Sequence, residues 1–300
     1  MQNNYQQVVE PYSGLSEAQF SFIRKFIRQK AGIVLSDSKQ YLVESRLKHV
    51  AKIFGLSDVG LLCDRLQRTP DIQLETMVID ALTTNETLWF RDKKPFDALL
   101  EMYLPWLEKQ TDSRSLRIWC AGCSSGQEPY SLILMFTEEN IFKTWNVRVI
   151  ATDISQGILE RAKKGIYSQL EVNRGLPAKM LVKYFKQLET GEWQLSSQIR
   201  SKVVFRKHNL LTDAPPDNRL NLIFCRNVLI YFDIQKKREI LERFHKRLAP
   251  LGLLVLGASE TTLGITDIFQ PVKLGLATFF CKPEEKAALE ALAESAASLR

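Results

Sequence analysis

Residues 116–136 read LRIWCAGCSSGQEPYSLILMF: a short apolar run, a turn of small residues, then a longer apolar run. The first run is too short for a helix and carries residues that suit a buried pleated strand. Gly122 and Gly126 punctuate the turn, and Pro129 stands where the first turn of a helix tolerates a missing N–H. The stretch therefore reads as strand, tight turn, helix. The same unit recurs downstream. VRVIATD reads as a strand before the helix ISQGILERAKKG, NLIFC as a strand before the helix IQKKREILERFHKRL, and GLLVLGA as a strand after the Pro250–Gly252 turn. Strand and helix in alternation predict an α/β fold, a parallel and mostly buried sheet with helices on its faces.

Upstream the rhythm is helical. Phe20, Ile23, Phe26 and Ile27, then Leu42, Leu47, Val50 and Ile53, then Leu61, Leu62 and Leu66, then Leu74, Met77, Val78 and Leu82 recur at helical spacing, with punctuation at Gly32, Gly55 and Pro70. This predicts a small all-α domain over residues 1–85. A further helix is expected from about Lys94 to Lys109, and the α/β domain spans residues 86–282. Residues 166–207 interrupt its alternation with a helix, LPAKMLVKYF, and with LETGEW, where Thr190-Gly191 suits a short hairpin. They read as an insertion of a few antiparallel strands. Residues 283–300 form an Ala-rich, helix-prone or flexible tail with too few large apolar residues to require packing. There are no internal repeats.

The chain has 300 residues, 45% hydrophobic and 25% charged, an ordinary composition for a globular protein with room for two modest domains. No run is long and apolar enough to span a bilayer, and MQNNYQQVVEPYSG lacks the layout of a signal peptide, so a cytoplasmic protein is expected. The five cysteines are odd in number and scattered, which suits reduced thiols. Cys120 and Cys123 form a C-x-x-C, but no second ligand pair accompanies them and His49, His208 and His245 lie far apart, so no metal is expected. The formal charge of +7 permits an acidic partner. Between residues 24 and 52, Arg24, Lys25, Arg28, Lys30, Lys39, Arg46, Lys48 and Lys52 face only Asp37 and Glu44, which suits either a solvated helix face or an anion-seeking surface.

In an open parallel sheet, ligands sit at the carboxyl ends of the strands. Three such ends carry chemistry here. Gly122 and Gly126 let backbone approach a ligand before a helix N-terminus, although any tight strand-to-helix turn favours glycine. Asp153 can accept from the two hydroxyls of a ribose, although taken alone it reads first as the cap of the next helix. Arg226 and Asn227 follow a fully apolar strand, with Tyr231 near the same rim, and an asparagine offers donor and acceptor together, as an adenine edge or an amino-acid moiety requires. Neither G-x-G-x-x-G nor G-K-[ST] is present, and Glu128 in the first loop suits a cationic group better than a pyrophosphate. A glycine turn, an acid for ribose and an acid near a cation describe S-adenosylmethionine better than NAD or ATP. A fourth stretch, TTNETLWF at 83–90 followed by Arg91, reads either as a helix start capped by Thr84 or Asn85 or as small polar side chains gathered at a ligand.

Taken together, TTNETLWFR, CAGCSSGQEPYSL, ATDIS, HNLL and FCRNVLIYF, in this order over roughly residues 15–282, closely resemble the chemotaxis receptor glutamate methyltransferases of the CheR type. The resemblance implies an all-α N-terminal domain, a Rossmann-like S-adenosylmethionine-dependent methyltransferase domain and a small antiparallel β-subdomain inserted into it. It implies as substrate the glutamate carboxylates of the cytoplasmic helical bundle of chemoreceptors, converted to methyl esters with S-adenosylhomocysteine as co-product. Carried over motif by motif, cofactor contacts fall on Asn85, Thr87, Arg91, Glu128, Asp153, Asn209, Leu210, Arg226 and Asn227, with Arg91 and Tyr231 beside the transferred methyl. In this light TTNETLWFR is a cofactor and substrate edge that also starts a helix.

Gln127 and Trp89 depart from the usual residues of relatives without removing a contact, and the basic helix around Arg46 carries fewer charges than theirs. The resemblance implies recruitment to membrane-bound receptor arrays through the basic N-terminal helices. The short LETGEW turn argues against the gripping of a receptor C-terminal pentapeptide. Two other classes use the same sheet: a nucleic-acid methyltransferase, for whose amino-methylating members the expected N/D-P-P-Y/F is replaced here by CRNVLIYF, and a catalytically silent S-adenosylmethionine-binding scaffold, against which Arg91 and Tyr231 argue.

Overall fold

The structure, a computed structural model, describes residues 14–297, with side chains up to Glu294. The opening residues read for a signal peptide and the very end of the Ala-rich tail lie outside the described residues. The chain divides into two compact units, Met1–Thr83 and Thr84–Arg300.

Among its described residues the first unit has four α-helices: α1 (Glu17–Ala31), α2 (Gln40–Ile53), α3 (Val59–Arg68) and α4 (Ile72–Leu82). Their ends follow from local chemistry. Ser16 and Gln19 close a capping box at the start of α1, and Gly32 ends it in the left-handed conformation at φ 72°. Asp58 and Asp71 cap α3 and α4 by accepting from Leu61 N and Leu74 N. The helical spacing buries Ile23, Ile27, Val43, Leu47, Leu62, Leu74 and Val78 as the core of this unit. Arg46 of α2 donates Nη1 to the carbonyls of Leu82 (3.0 Å) and Thr83 (3.1 Å), so its cation satisfies the orphan acceptors at the end of α4.

The second unit opens with a loop and a helix in two pieces, α5 (Lys94–Ala98) and α6 (Leu104–Gln110), joined by a π-helical turn over Leu99–Tyr103. Pro105 lacks an N–H and crowds the carbonyl four residues back, and the wider turn before it relieves both problems. Then follow β1 (Ser115–Ala121), α7 (Gln127–Glu138), β2 (Asn146–Asp153), α8 (Gln156–Lys164), β3 (Ile166–Tyr167), α9 (Gln169–Asn173), α10 (Ala178–Tyr184), β4 (Phe185–Gln187), β5 (Trp193–Leu195), α11 (Ser197–Arg200), β6 (Val203–Lys207), β7 (Leu220–Cys225), α12 (Ile234–His245), β8 (Leu248–Leu256), β9 (Gln270–Leu274), β10 (Ala277–Cys281) and α13 (Lys286–Ala297).

Seven strands form one sheet in the order β6-β2-β1-β7-β8-β10-β9. All neighbours pair in parallel except β10, which runs antiparallel to β8 and β9. The chain proceeds from β1 outward through β2 to β6, then returns to the other side of β1 with β7. That reversal makes the carboxyl ends of β1 and β7 the switch point where such sheets bind ligands. Three short strands make a separate antiparallel sheet, β3-β5-β4, whose β4–β5 hairpin turns through Gly191 at φ 83°.

Two elements differ from what the sequence suggests. β6 lies inside the range expected for the insertion but forms the edge of the large sheet. An edge strand buries less, and here Val203 is buried while Val204, Arg206 and Lys207 are exposed, so no continuous apolar run marks it. The Ala-rich tail is not a bare linker over its described part. α13 carries Leu289 and Leu292, one turn apart and both buried in the core with Val272 and Leu274 of β9. Two leucines at that spacing are enough to seat a helix. Among the described residues no helix is long and apolar enough to cross a membrane.

Candidate active site

The loop after β1 is built to close on its neighbours. Gly122 and Gly126 adopt φ 73° and 91°, and a Cβ on Gly122 would stand 2.5 Å from Val228 Cγ2 in the loop after β7. Gly122 N and Cys123 N both donate to Thr152 O, at 2.8 and 2.9 Å, which ties this loop to the end of β2. There Asp153 is 8% exposed, and its two oxygens accept from Ser124 N (2.8 Å) and Ser155 N (3.0 Å). The alternative reading of Asp153 as a helix cap does not hold: Ser155 caps α8 through Ile158 N. His208 N donates to Asp153 O at 2.9 Å, which brings Asn209 and Leu210 beside it in a turn where Asn209 Oδ1 accepts from Leu211 N (3.0 Å).

The opening stretch joins the same place. Ser124 Oγ donates to Asn85 O at 2.7 Å. Trp89 is fully buried, with Tyr167 and Phe185 edge-on at 5.0 and 5.5 Å. Phe90 N donates to Ser131 Oγ, which in turn donates to Gln127 O. Phe90 and Asp92 have φ 47° and 48°, so Arg91 is presented between two residues in the sparsely populated left-handed region. The following helix starts at Lys94, and no side chain caps it. The polar residues of TTNETLWFR are therefore not a cap for that helix.

Arg226 organises the centre. Its side chain is 2% exposed, and it donates Nη1 to Glu128 Oε2 at 3.1 Å, and Nη2 to Arg91 O at 2.7 Å and Asp92 Oδ2 at 2.8 Å. The guanidinium expected to touch a cofactor is thus engaged by protein groups, and it locks the Arg91 loop to the first turn of α7. Burial pushes the Glu128 carboxyl above the ordinary range, opposed chiefly by Arg226 and more weakly by Arg91. Asn227 adopts φ 59°, and its Oδ1 is buried with no hydrogen-bond partner. Tyr231 ends the short 3₁₀ turn Leu229–Tyr231, half-buried at the rim. Among the described residues no hydrogen bond joins the side chains of Thr87 or Tyr231 to this network.

Glu260, in the loop after β8, was not found from the sequence. It accepts from Asn227 N and Gly257 N. The usable signal was the one that pointed to Asp153, an acid just past the carboxyl end of a strand. The C-x-x-C thiols are buried, and burial pushes Cys120 and Cys123 well above the usual thiol range, which leaves them poor nucleophiles. Among the described residues no group of three or more His, Cys, Asp or Glu is placed to hold a metal ion.

These groups suit a nucleoside bearing an amino-acid arm. A buried acceptor without a donor costs about 1–3 kcal/mol, and an adenine amine is a donor that Asn227 Oδ1 lacks.

The comparisons with known proteins agree. Residues 85–277 match the family described as CheR methyltransferase, SAM binding domain, and residues 18–83 match CheR methyltransferase, all-alpha domain. The chain is 44% identical over 265 residues to the chemotaxis protein methyltransferase 1 of Pseudomonas aeruginosa, covering 86% of this chain and 95% of the relative. It is 42% identical over 258 residues to the chemotaxis protein methyltransferase Cher2 of Pseudomonas putida, covering 85% and 94%. A chemotaxis protein methyltransferase of Vibrio anguillarum is 38% identical over 262 residues, covering 86% and 94%. Helical unit and sheet unit are matched in the same order along the chain, each by its own description, and the chain belongs to the CheR methyltransferase family.

Proposed function

We propose that the protein transfers the methyl group of S-adenosylmethionine to glutamate side chains of chemoreceptors, forming methyl esters during sensory adaptation. The observation that carries this reading is the presentation of Arg91 at the carboxyl edge of the sheet, between two left-handed residues and tied by Arg226 to Glu128. When bound, S-adenosylmethionine supplies an electrophilic methyl on a cationic sulfur.

A glutamate side chain ionises near about pH 4.3, so the nucleophile is already anionic at neutral pH and no general base is needed. What remains is geometry, with reacting atoms brought in line at roughly 3–3.5 Å. Because the transfer would neutralise a carboxylate against a cationic sulfur, which would keep the electron pair of the broken S–CH3 bond, a tight grip by this chain on the ground-state carboxylate would not speed it. Arg91 therefore orients the carboxylate, and Tyr231 gives a directional hydrogen bond at the same oxygen. Glu128 holds the methionine ammonium, Asp153 the ribose hydroxyls and Asn227 the adenine edge. Asn85, Thr87, Asn209, Leu210 and Arg226 complete the cofactor enclosure, Arg226 through the loop it anchors.

The receptor docks through the basic helices of the first unit, where Lys25, Arg28, Lys39, Lys48 and Lys52 are exposed. That docking sets the enzyme to work at membrane-bound receptor arrays. The tight β4–β5 hairpin argues against a grip on a receptor C-terminal pentapeptide. The test is transfer of radiolabelled methyl from S-adenosylmethionine to membranes containing a chemoreceptor, followed by mild base. Label released as methanol supports the ester. Base-stable label, or label only in nucleic acid, overturns it.

A further inference from the structure

Glu260 has no part in the mechanism above, yet its carboxylate is bound on both oxygens. Oε2 accepts from Asn227 N at 2.6 Å and Gly257 N at 2.7 Å, and Oε1 accepts from Ile230 N at 3.2 Å. Two of these donors belong to the turn that runs from β7 to Tyr231. The turn sets Asn227 at φ 59°, in the left-handed region that asparagine tolerates better than most residues with a Cβ, and the Glu260 carboxylate fixes it there. Hydrogen bonds from backbone to an ionised carboxylate are among the stronger ones, and here they hold the segment at its start and middle. The fit is close on the other side as well. A Cβ on Gly257 would stand 2.8 Å from Asn227 Nδ2 and from Glu260 Oε2, and 2.9 Å from Asn227 N. Among the described residues, two side-chain polar atoms of this segment are buried without a hydrogen-bond partner, Arg226 Nε and Asn227 Oδ1.

We propose that Glu260 is a positioning residue for methyl transfer: by fixing the Asn227–Tyr231 turn it aims Asn227 Oδ1 at the nucleoside of the methyl donor and the Tyr231 hydroxyl at the incoming carboxylate. The inference rests on the roles given above to Asn227 and Tyr231. It differs from a purely structural role because the clasp can be loosened in a folded protein and still disturb both ligand sites.

Three full-length variants test it: Glu260→Ala, Glu260→Gln and Gly257→Ala. Glutamine keeps one carbonyl oxygen, which can stay between Asn227 N and Gly257 N, while its NH2 loses the contact to Ile230 N and opposes that donor. The measurements are the thermal midpoint, S-adenosylhomocysteine affinity by calorimetry, and kcat and KM on receptor membranes. Glu260→Ala is expected to lower kcat by about a hundredfold, the cost of misplacing reacting groups, and to weaken S-adenosylhomocysteine by about tenfold, with receptor KM within about twofold. Glu260→Gln is expected to recover most of both losses. Gly257→Ala leaves the carboxylate but crowds it, and should follow Glu260→Ala; it reads the same geometry if Glu260→Ala does not fold.

Normal kcat in Glu260→Ala, or in Gly257→Ala where the former does not fold, overturns the proposal. A loss of activity that matches the loss of folded protein, with kcat per folded molecule unchanged, reduces Glu260 to a structural residue. If the wild-type chain neither binds S-adenosylhomocysteine nor methylates receptor, the proposed function itself fails and this role with it.

Discussion

The Glu128–Arg226 pair shows how a buried charge can matter more by its loss than by its presence. Arg226 is 2% exposed and Glu128 12% exposed at the side chain. Desolvation largely offsets the attraction of such a pair, but removing one partner leaves the other charge uncompensated. Arg226→Met should therefore destabilise the protein by about 3–5 kcal/mol in urea unfolding, and Glu128→Gln added to it should recover part of that loss. Wild-type stability in Arg226→Met would mean the pair does not hold the Arg91 loop. Glu128 also carries a pH signature. Burial raises its carboxyl above the ordinary range, so on acidification it gains its proton earlier than a free glutamate does. Only the ionised form pairs with an ammonium, so S-adenosylhomocysteine affinity should fall as pH is lowered from about 8 to about 5, beginning above the usual glutamate range. Glu128→Gln should bind about 10–100-fold more weakly at neutral pH, the scale of a hydrogen bond to a charged group, and should flatten the dependence. Calorimetry across that pH range decides it. At this scale the sequence showed residues at strand ends, because a strand's carboxyl end is a legible place. It did not show that Arg226 would be absorbed by Glu128, Asp92 and the Arg91 carbonyl, since that depends on side chains more than ninety positions apart meeting in the fold.

At the scale of elements, the small sheet is fastened to the main body by an acid at the end of α7. Glu138 Oε1 accepts from Lys183 Nζ at 2.5 Å and Tyr184 hydroxyl at 2.6 Å, both at the end of α10, and Lys179 lies 3.6 Å from Oε2. The Lys183 and Tyr184 bonds hold the carboxyl down at about 2, below its ordinary 4.5. A depressed carboxyl contributes stability that is full above its unfolded value and is lost as pH falls through the folded one. Lys183 is half-exposed, so the pair is screened, and Glu138→Ala should cost roughly 1 kcal/mol at neutral pH. The gap between variant and wild type should narrow as pH drops below about 4.5 toward about 2, read by urea unfolding at stepped pH. A gap that stays constant would place the stabilisation elsewhere. The elements themselves were largely legible: alternating short apolar runs and amphipathic stretches mark the parallel sheet and its helices. The π-helical turn before Pro105, the half-exposed edge strand β6 and the docking of α13 were not. Each depends on what a neighbour covers, which periodicity does not report.

At the scale of the molecule, the proposed cofactor residues, Asn85 to Asn227, all lie in the second unit, whereas the exposed basic cluster lies in the first. On α2, Lys48 and Lys52 stand on an exposed face with Tyr41 and Ser45, while Val43, Leu47 and Val50 are buried and Arg46 is tied to the end of α4. Lys25, Lys39, Lys48 and Lys52 are exposed to water, and exposed charges are screened beyond a Debye length of about 10 Å at 0.1 M salt. Binding of the nucleoside depends instead on buried groups, which salt screens little. Raising salt from about 0.05 to about 0.5 M should therefore raise the KM for receptor membranes severalfold while leaving S-adenosylhomocysteine affinity within about twofold. Residues 84–300 expressed alone should bind S-adenosylhomocysteine within about threefold of the full chain, since this unit has its own core, and should lose most receptor methylation. If the isolated second unit methylates receptors as well as the full chain, or if salt weakens nucleoside and receptor alike, the basic helices are a solvated surface and the substrate is chosen at the rim of the sheet.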